Sequence, residues 1–329
     1  MKPSSQLSPE AVAAPGPAIE VAPSPHLADA GQSTRRMMID VLIALAPVTA
    51  VAIVVFRWYA VQQLAICIGT CMAAEVFFAF LRGRRAPLGD ASAAVTGAIL
   101  ALSLPATAPW YTAFIGSLVA IGVGKAIFGG LGMNLFNPAM VGRAFVMISF
   151  AGALGAAGYQ DPAGRIDVMT QATPLTAFKQ SGIAADLADL FWGTTNGSLG
   201  EISAAACLVG GLYLCLRRTA SWQIPFSMLA AAGLLAWLDA GLGAGGWGVW
   251  HHLCGGAMLF GAFFIATDPV SSPLTPWGKI VFGAGTGALV MLIRIFSGYP
   301  EGVMFAVLLM NALTPLINRW TIPRPFGGQ

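Results

Sequence analysis

Residues 38–56 read MIDVLIALAPVTAVAIVVF, and Asp40 is the only charged residue in this stretch. A helix needs about 20 mostly apolar residues to cross the hydrocarbon core of a bilayer, so the stretch predicts a transmembrane helix. The whole chain has the same character, because 57% of its residues are hydrophobic and 9% are charged. Soluble domains carry about 25% charged residues. The sequence therefore predicts an integral membrane protein in contact with the lipid bilayer, and the net charge of +3 is too small to indicate a nucleic-acid partner.

Segments of similar length and composition recur along the chain. An all-α bundle is predicted from them, because lipid leaves no other way to satisfy the backbone polar groups of such segments. We predict about ten spans, at residues 38–56, 62–81, 88–105, 110–128, 138–156, 200–216, 222–239, 249–266, 279–297 and 302–318.

The orientation of these spans is predicted from arginine and lysine, which are enriched in cytoplasmic loops. With the N-terminus inside, most basic residues near span ends face the cytoplasm, and the opposite face keeps Arg57, Arg165, Lys179 and Arg294. We therefore predict that both termini are cytoplasmic and that the one long connection, residues 157–199, is extracytoplasmic.

The two halves of the chain resemble each other. GAILALSLP (97–105) lines up with GAFFIATDP (261–269), and KAIFGGLG (125–132) with RIFSGYPEG (294–302). Five spans per half is an odd number, so the second half is inverted relative to the first, and such repeats place binding sites at their interface. The predicted division is a disordered cytoplasmic tail at 1–33, a first membrane repeat at 34–156, an extracytoplasmic loop at 157–199, a second membrane repeat at 200–320 and a cytoplasmic tail at 321–329.

Charged residues inside spans are energetically costly and are often functional. The candidates are Asp40, Glu75, Asp90, Lys125, Arg143, Asp239, Asp268 and Arg294. The alternative for each is snorkelling or helix capping at a span end. Lys125 beside a Gly-rich loop and Asp268 in the segment ATDP favour a functional role, although the sequence assigns no catalytic residue.

All five cysteines lie in apolar runs, and Cys67 and Cys71 are spaced to share one helix face. Buried cysteines usually act as small apolar residues. The alternative is a metal or iron–sulfur site shared with another subunit, but no C-x-x-C spacing occurs. We therefore predict no metal site within this chain.

The segment DVMTQATPLTAF, residues 167–178, is a polar strip between apolar regions. Thr173 followed by Pro174 is a good helix start, with threonine as the cap and proline in the first turn. A helix start does not explain Asp167 and Thr170 upstream. Nucleotide-binding loops, zinc-protease motifs and nucleophile elbows are absent from the sequence.

The segment from Asp167 to Thr173, D-V-M-T-Q-A-T, resembles the flavinylation sequence D-x-x-[S/T]-G-A-T. In proteins with that sequence a flavin transferase joins FMN through its phosphate to the last threonine. The resemblance implies covalent FMN at Thr173, with Asp167, Thr170 and Ala172 as the other motif residues. Gln171 stands where the motif usually has glycine.

Other stretches agree with this resemblance: GGLGMNLFNPAMVGR (129–143), GEISAAACLVGGLYLCLRR (200–218), FIATDP (264–269) and GYPEGVMFAVLLMNALTPLI (298–317). Together they are similar to the D subunit of the Rnf electron-transport complex, a relative of the B subunit of the sodium-pumping NADH:quinone reductase. The resemblance implies a flavoprotein subunit of an ion-translocating ferredoxin:NAD oxidoreductase in the bacterial cytoplasmic membrane, with iron–sulfur and flavin subunits as partners.

The resemblance also implies a second, noncovalent flavin, riboflavin. The repeat points to the cytoplasmic loop GGLGMNLFNPA (129–139), where glycines allow close backbone approach and Asn134 and Asn137 can bond the edge of a flavin ring. The alternative interpretation of this loop is a helix break with an asparagine cap.

A function from a different class fits several of the same features. Inverted repeats, spans broken by glycine and proline, and buried charges are also typical of secondary transporters and channels without a redox cofactor. The flavinylation motif favours the electron-transfer subunit, while the transported ion, Na⁺ or H⁺, stays open.

Overall fold

A computed structural model describes residues 33–83, 88–154, 157–159, 169–171, 173–182, 184–193, 195–241, 247–297 and 302–323. The predicted tails, apart from Ser33 and residues 321–323, and the motif residues Asp167 and Ala172 lie outside the described residues.

The described part of the chain is helical apart from one antiparallel pair of short strands. The helices of the first half are α1 (Thr34–Phe56), α2 (Trp58–Leu81), α3 (Ser92–Ser103), α4 (Trp110–Ile121, continued by a π-helical turn at Gly122–Ala126), α5 (Pro138–Ser149) and α6 (Ala151–Leu154). Strands β1 (Ala157–Tyr159) and β2 (Met169–Gln171) and helices α7 (Pro174–Ser181) and α8 (Leu187–Trp192) follow. The second half contains α9 (Ala204–Leu216), α10 (Gln223–Gly241), α11 (Val249–Cys254), α12 (Met258–Phe260, continued by a π-helical turn at Gly261–Ile265), α13 (Pro276–Phe296) and α14 (Val303–Thr321).

Within the described residues, five helices are long and apolar enough to cross a membrane: α1, α2, α10, α13 and α14. Four shorter apolar helices accompany them: α3, α4 with its π-helical turn, α5 and α9. The chain is therefore a multi-pass helical membrane protein. Large apolar side chains cover the outside of the bundle, as Val54, Phe80 and Leu216 show with exposures of 76%, 79% and 83%, and in a bilayer such side chains face lipid.

Three predicted spans are shorter or more broken than expected. The span predicted at 88–105 is α-helical over 92–103 only and is preceded by a 3-10 turn at Leu88–Asp90; the two are separated by Ala91, which takes a left-handed conformation with φ of 61°. The span predicted at 138–156 ends its main helix at Ser149. The span predicted at 249–266 is interrupted at Gly255 and Gly256, of which Gly256 has φ of +66°, a conformation that favours glycine.

Local sequence explains where several helices begin. Three of them start with a capping side chain followed by proline: Asn137 before α5, Thr173 before α7 and Thr275 before α13. The cap oxygen satisfies a free N–H of the first turn, and proline loses nothing there because its missing N–H has no helical partner. Ser33 caps α1 in the same way without a proline.

The two halves pack internally in the same order. In the first half α2 packs on α3 and α4, and α4 on α5; in the second, α10 packs on α11 and α13, and α13 on α14. The halves meet where α1 packs on α9 and where α5 packs on α14.

Glycine permits the closest helix approaches. A Cβ at Gly210 of α9 would lie 2.1 Å from the carbonyl oxygen of Ala44 of α1, and one at Gly287 of α13 would lie 2.2 Å from the carbonyl oxygen of Met228 of α10. Small residues at such contacts are typical of membrane helix pairs, where van der Waals packing holds the helices together.

Candidate functional sites

Thr173, the predicted flavin anchor, is the N-cap of α7. Its Oγ1 accepts a hydrogen bond from the backbone N of Thr176 at 3.3 Å and lies 2.9 Å from Thr176 Oγ1. The helix-start interpretation of Thr173 and Pro174 is therefore confirmed. Just upstream, Thr170 pairs with Gly158 and Gln171 with Ala157 in the two-stranded hairpin.

The Thr173 side chain is half-buried and borders a narrow cavity, which we call the anchor cavity. Its lining residues are Thr173, Pro174, Leu175, Leu190, Thr195, Asn196, Glu201 and Gly256. Glu201 Oε1 lies 3.8 Å from Arg143 Nη2, so the carboxylate on this wall faces a cation from the first half. The hydroxyl is at the N-terminal end of α7, where the backbone N–H groups and the helix dipole favour a negative group such as phosphate.

A second cavity lies between the first and second halves of the chain, and we call it the inter-repeat cavity after the repeats predicted from the sequence. The first half contributes Met37, Met38, Ser92, Lys125, Asn134 and Asn137, among others, and the second half contributes Thr219, Phe264, Thr267 and Asp268. The structure therefore brings together four of the residues selected from sequence: Lys125, Asn134, Asn137 and Asp268. Lys125, Asn134 and Asn137 lie close together in the chain, but Asp268 lies more than 100 residues further on, and sequence spacing alone does not connect it with them.

Asn134 lines the inter-repeat cavity and carries a buried acceptor that no described residue uses. Its side chain is 5% exposed, and its Nδ2 donates to the carbonyl oxygen of Phe136 at 3.1 Å. Its Oδ1 is buried and has no hydrogen-bond partner among the described residues. A buried acceptor without a partner is costly, so it indicates a missing donor such as a ligand N–H.

Asn137 is committed to the fold. Its Oδ1 accepts from the backbone N of Ala139 at 3.0 Å and of Met140 at 3.4 Å, and its Nδ2 donates to the carbonyl oxygen of Ile265 at 3.2 Å. Its backbone N donates to Asn311 Oδ1 at 3.1 Å. The asparagine-cap alternative is therefore confirmed at this position, and the same residue ties α5 to the second half. One Nδ2 hydrogen is left for a further acceptor.

Lys125 sits at the wall of the inter-repeat cavity and forms a buried ion pair. Its ammonium group contacts the Glu75 carboxylate and donates to Ser92 Oγ at 2.5 Å. Ser92 Oγ in turn donates to Asp90 Oδ1 at 2.6 Å. The other Glu75 oxygen, Oε2, has no hydrogen-bond partner within the described chain. The sequence indicates Lys125 and Glu75 as separate candidates but not as a pair; the available signal is one charge of opposite sign in each of the second and fourth predicted spans.

Asp268 and Asp40 both form hydrogen bonds within the fold. Asp268 accepts hydrogen bonds from the backbone N of Val270 at 3.1 Å and from Ser271 Oγ at 3.0 Å, so it stabilises the turn that follows the π-helical segment. Asp40 accepts from Tyr213 Oη at 3.3 Å and from Thr219 Oγ1 at 3.1 Å, which joins α1 to α9.

The cysteine pair on α2 faces α4. Both thiols are buried, and they lie 4.0 Å and 3.9 Å from the carbonyl oxygens of Ala113 and Ser117 respectively. No group of three histidine, cysteine or acidic residues suited to a metal ion occurs in the part of the chain that the structure describes. The contacts of Cys67 and Cys71 are those of small packing residues.

Comparisons with known proteins agree with the motifs. The model of the NQR2, RnfD, RnfE family matches residues 20–327. A relative from Acetobacterium woodii, named as the D subunit of a Na(+)-translocating ferredoxin:NAD(+) oxidoreductase complex, is 42% identical over 94% of this chain and 95% of its own. One from Clostridium ljungdahlii, named as the D subunit of a proton-translocating ferredoxin:NAD(+) oxidoreductase complex, is 39% identical over 93% of this chain and 96% of its own. One from Halorhodospira halophila, named as the D subunit of an ion-translocating oxidoreductase complex, is 39% identical over 94% and 95%. The first two names differ in the ion, so similarity at this level does not identify it.

Proposed function

The chain belongs to the NQR2, RnfD, RnfE family, and on that premise we propose that it is the membrane flavoprotein subunit of an ion-translocating electron-transport complex. In this proposal it carries electrons between ferredoxin-linked and NAD-linked partner subunits, coupled to transport of Na⁺ or H⁺. Its own sequence has no dinucleotide-binding motif and no C-x-x-C spacing. We therefore assign the NAD and iron–sulfur chemistry to the partner subunits.

The main support for the proposal is the structural environment of Thr173. The last threonine of the flavinylation-like motif is a half-buried N-cap whose hydroxyl borders the anchor cavity. A phosphoester there would put negative charge at the start of α7, which the helix dipole favours. Thr176 Oγ1, 2.9 Å from Thr173 Oγ1, would donate a hydrogen bond to the esterified oxygen or its phosphate. A flavin transferase would be the maturation partner.

The bound FMN would supply the redox chemistry, and this chain would supply position and electrostatics. Proline in the first turn of α7 and the Gly182 cap, in a left-handed conformation with φ of 70°, fix the ends of the helix that carries the anchor. Leu175 and Leu190, both 3% exposed, pack the base of the anchor cavity. The tether would therefore keep the flavin on one face of the bundle.

We assign the noncovalent riboflavin to the inter-repeat cavity. Riboflavin has no phosphate, so burial of its ring and hydrogen bonds at the ring edge must provide its binding. Asn134 Oδ1 offers a buried acceptor that no described residue uses, and Phe264 offers an aromatic wall. The enclosed volume is about 70 Å³, below the ~300 Å³ of typical ligand pockets. Binding therefore requires Met37 and Met38, flexible side chains on the wall, to move.

The proposed architecture is two inverted five-helix repeats. It is supported by the common packing order of α2–α5 and α10–α14. It is further supported by a basic residue near the C-terminal end of the fourth predicted span of each half, Lys125 in 110–128 and Arg294 in 279–297. Each is buried and hydrogen-bonded inside its own half.

The proposed topology puts both termini in the cytoplasm and the loop bearing Thr173 on the extracytoplasmic side of a bacterial cytoplasmic membrane. Its support is the distribution of arginine and lysine. The anchor cavity and the inter-repeat cavity would then open toward opposite faces, one for each flavin.

In-gel fluorescence of the denatured subunit tests the anchor. Thr173→Asn removes the hydroxyl but keeps a good capping side chain, so we expect loss of fluorescence from a folded, membrane-inserted subunit. Thr176→Ala is the matched control and should keep the fluorescence. Fluorescence that persists in Thr173→Asn would contradict the anchor, and its absence from the wild-type subunit would contradict covalent flavin and favour a transporter without a redox cofactor.

A further inference from the structure

A third cavity, which we call the side cavity, lies next to the inter-repeat cavity. Its volume is about 290 Å³, and the charged residues in its lining are Glu75, Arg82, Asp90 and Lys125. Lys125 and Leu131 line both cavities, so the two cavities share a wall at these residues. Lys125 therefore borders the proposed riboflavin site on one side and the side cavity on the other.

Glu75 carries a free carboxylate oxygen beside the side cavity. The residue is only 6% exposed. One oxygen, Oε1, contacts the ammonium group of Lys125, whereas no described residue donates to the other, Oε2. A buried acceptor without a donor is costly. Because a polar cavity needs only roughly 10 to 15 Å³ to hold a water molecule, the side cavity has room for water that donates to this oxygen.

Hydrogen bonds continue from this ion pair to the inter-repeat cavity. Lys125 Nζ donates to Ser92 Oγ at 2.5 Å, and Ser92 lines the inter-repeat cavity. Ser92 Oγ donates to Asp90 Oδ1 at 2.6 Å, and Asp90 lines the side cavity. Two hydrogen-bonded routes thus cross the shared wall, one through Glu75 and one through Asp90 and Ser92, and both meet at Lys125. Groups that can hold or accept a proton therefore follow one another from the side cavity to the inter-repeat cavity.

The side cavity reaches the surface of the protein at Arg82. This residue is the exposed C-cap of α2, and its Nη1 donates to the carbonyl oxygen of Ala126 at 2.7 Å. Under the proposed topology, this end of α2 is cytoplasmic, so water in the side cavity comes from the cytoplasm. Further titratable or charged groups near the ion pair are Cys71 and Asp90, and Asp268 lines the inter-repeat cavity.

An electron that arrives on a neutral ring in a buried site creates a negative charge there, and such a charge is costly unless it is paired or neutralised. A proton delivered to the ring removes the charge. Resting on the proposed riboflavin in the inter-repeat cavity, we propose that Lys125 and Glu75 form a proton relay to this flavin from water in the side cavity.

The relay balances as follows for each proton transferred when the flavin is reduced. One N–H bond of the Lys125 ammonium breaks, and one N–H bond forms on the flavin ring. The Lys125 amine regains its proton from water of the side cavity through the Glu75 carboxylate. The electrons come from the partner subunits of the proposed complex, so no residue of the relay is oxidised or reduced.

The test uses the full-length chain with Thr173→Asn, loaded with riboflavin, so that the flavin in the inter-repeat cavity is observed without covalent FMN. The chain is mixed rapidly with reduced methyl viologen, which gives up an electron without releasing a proton, and a pH-indicator dye reports the rate of proton uptake. Glu75→Gln should slow the uptake about 100-fold or more, because positioned acid–base groups contribute about 10²- to 10⁴-fold. Glu75→Asp keeps the carboxylate and should retain most of the rate.

Added formate separates a relay from a residue that only stabilises the fold. Formate is a small weak acid that can enter the side cavity, so it should restore proton uptake in Glu75→Gln, whereas chloride at the same ionic strength should not. Asp40→Asn is the matched control and should take up protons at the wild-type rate. Asp40 is a buried acid of α1 that bonds Tyr213 and Thr219 and lines neither cavity.

A wild-type rate in Glu75→Gln, or a slow rate that formate does not restore, would overturn the relay and leave the ion pair as part of the fold only. If Glu75→Gln does not fold, the double variant Glu75→Gln with Lys125→Met decides. A wild-type rate in that variant overturns the relay, and a slow rate that Asp40→Asn does not share supports it. A starting chain that binds no riboflavin is a separate outcome, which contradicts the proposed function rather than the relay.

Discussion

Truncation of Asn134 should weaken riboflavin binding without destabilising the fold. The Asn134→Ala change removes the buried Oδ1 that lacks a partner among the described residues and one hydrogen bond, from Nδ2 to the carbonyl oxygen of Phe136. Losing that bond costs about 1 kcal/mol, and removing a buried unsatisfied acceptor returns a similar amount. We therefore expect the thermal stability of the flavin-free protein to change little.

The same change should weaken riboflavin binding strongly. The flavin loses a buried hydrogen bond, which costs about 1 kcal/mol, or up to about 3 kcal/mol if its ring N–H is left unpaired. Since about 1.4 kcal/mol is a factor of ten, the affinity should fall about 5-fold to about 150-fold. Asn137→Ala is a poorer test, because it uncaps α5 and leaves the carbonyl oxygen of Ile265 unpaired. That loss amounts to about 2 to 5 kcal/mol of stability.

The assay is acid extraction of the purified complex after dilution into riboflavin-free buffer, followed by chromatography of the released flavin. FMN on Thr173 is covalent in the proposal and serves as the internal reference. Asn318→Ala is the matched control, since Asn318 Oδ1 binds the backbone N of Leu274, in a contact that does not involve the inter-repeat cavity. Wild-type retention of riboflavin in Asn134→Ala would refute the assignment of this cavity. Equal loss of both flavins would refute the separation of the two sites.

Three further predictions concern the buried ion pair, a close helix contact and the proposed topology. Lys125→Met leaves Glu75 buried without its cation and should lower the free energy of unfolding by about 3 to 5 kcal/mol, while adding Glu75→Gln should restore most of it; a thermal melt showing no rescue would contradict the pairing. Gly210→Ala puts a methyl group 2.1 Å from a carbonyl oxygen of α1, and should cost about 1 to 3 kcal/mol in the same assay. A cysteine at Ala188, an exposed position in α8, should react with an impermeant thiol reagent from outside the cell, whereas one at Ile322 should not; the reverse pattern would overturn the topology.

The membrane class and the positions of the helices could be predicted from composition and apolar length, because these are local properties. The start of α5 could be predicted in the same way, because asparagine before proline is a local capping signal. The break in the span predicted at 249–266 is indicated in the sequence by Gly255 and Gly256. A prediction based only on the length of the apolar run does not detect it. The hairpin of β1 and β2 was not predicted, because strand pairing depends on contact between two segments that are separate in the sequence.

The candidate sites were only partly predictable, for the same reason. The sequence indicates both Asn134 and Asn137 in the loop, but the role of Asn137 depends on distant partners. Asn137 bonds Ile265 and Asn311, which lie in the other half of the chain. The pairing of Lys125 with Glu75 likewise depends on the packing of α2 against the π-helical turn after α4. Only the three-dimensional contact shows which selected residues hold the fold and which have an atom free for a ligand.

The central claim is that FMN is joined to Thr173, and tandem mass spectrometry of the tryptic peptide covering residues 166–179 tests it most directly. This peptide, IDVMTQATPLTAFK, contains three threonines: Thr170, Thr173 and Thr176. The account predicts a peptide heavier by one FMN less one water, with fragments that locate the added mass on Thr173. An unmodified peptide from the intact, functional complex, or FMN on Thr170 or Thr176, would contradict it.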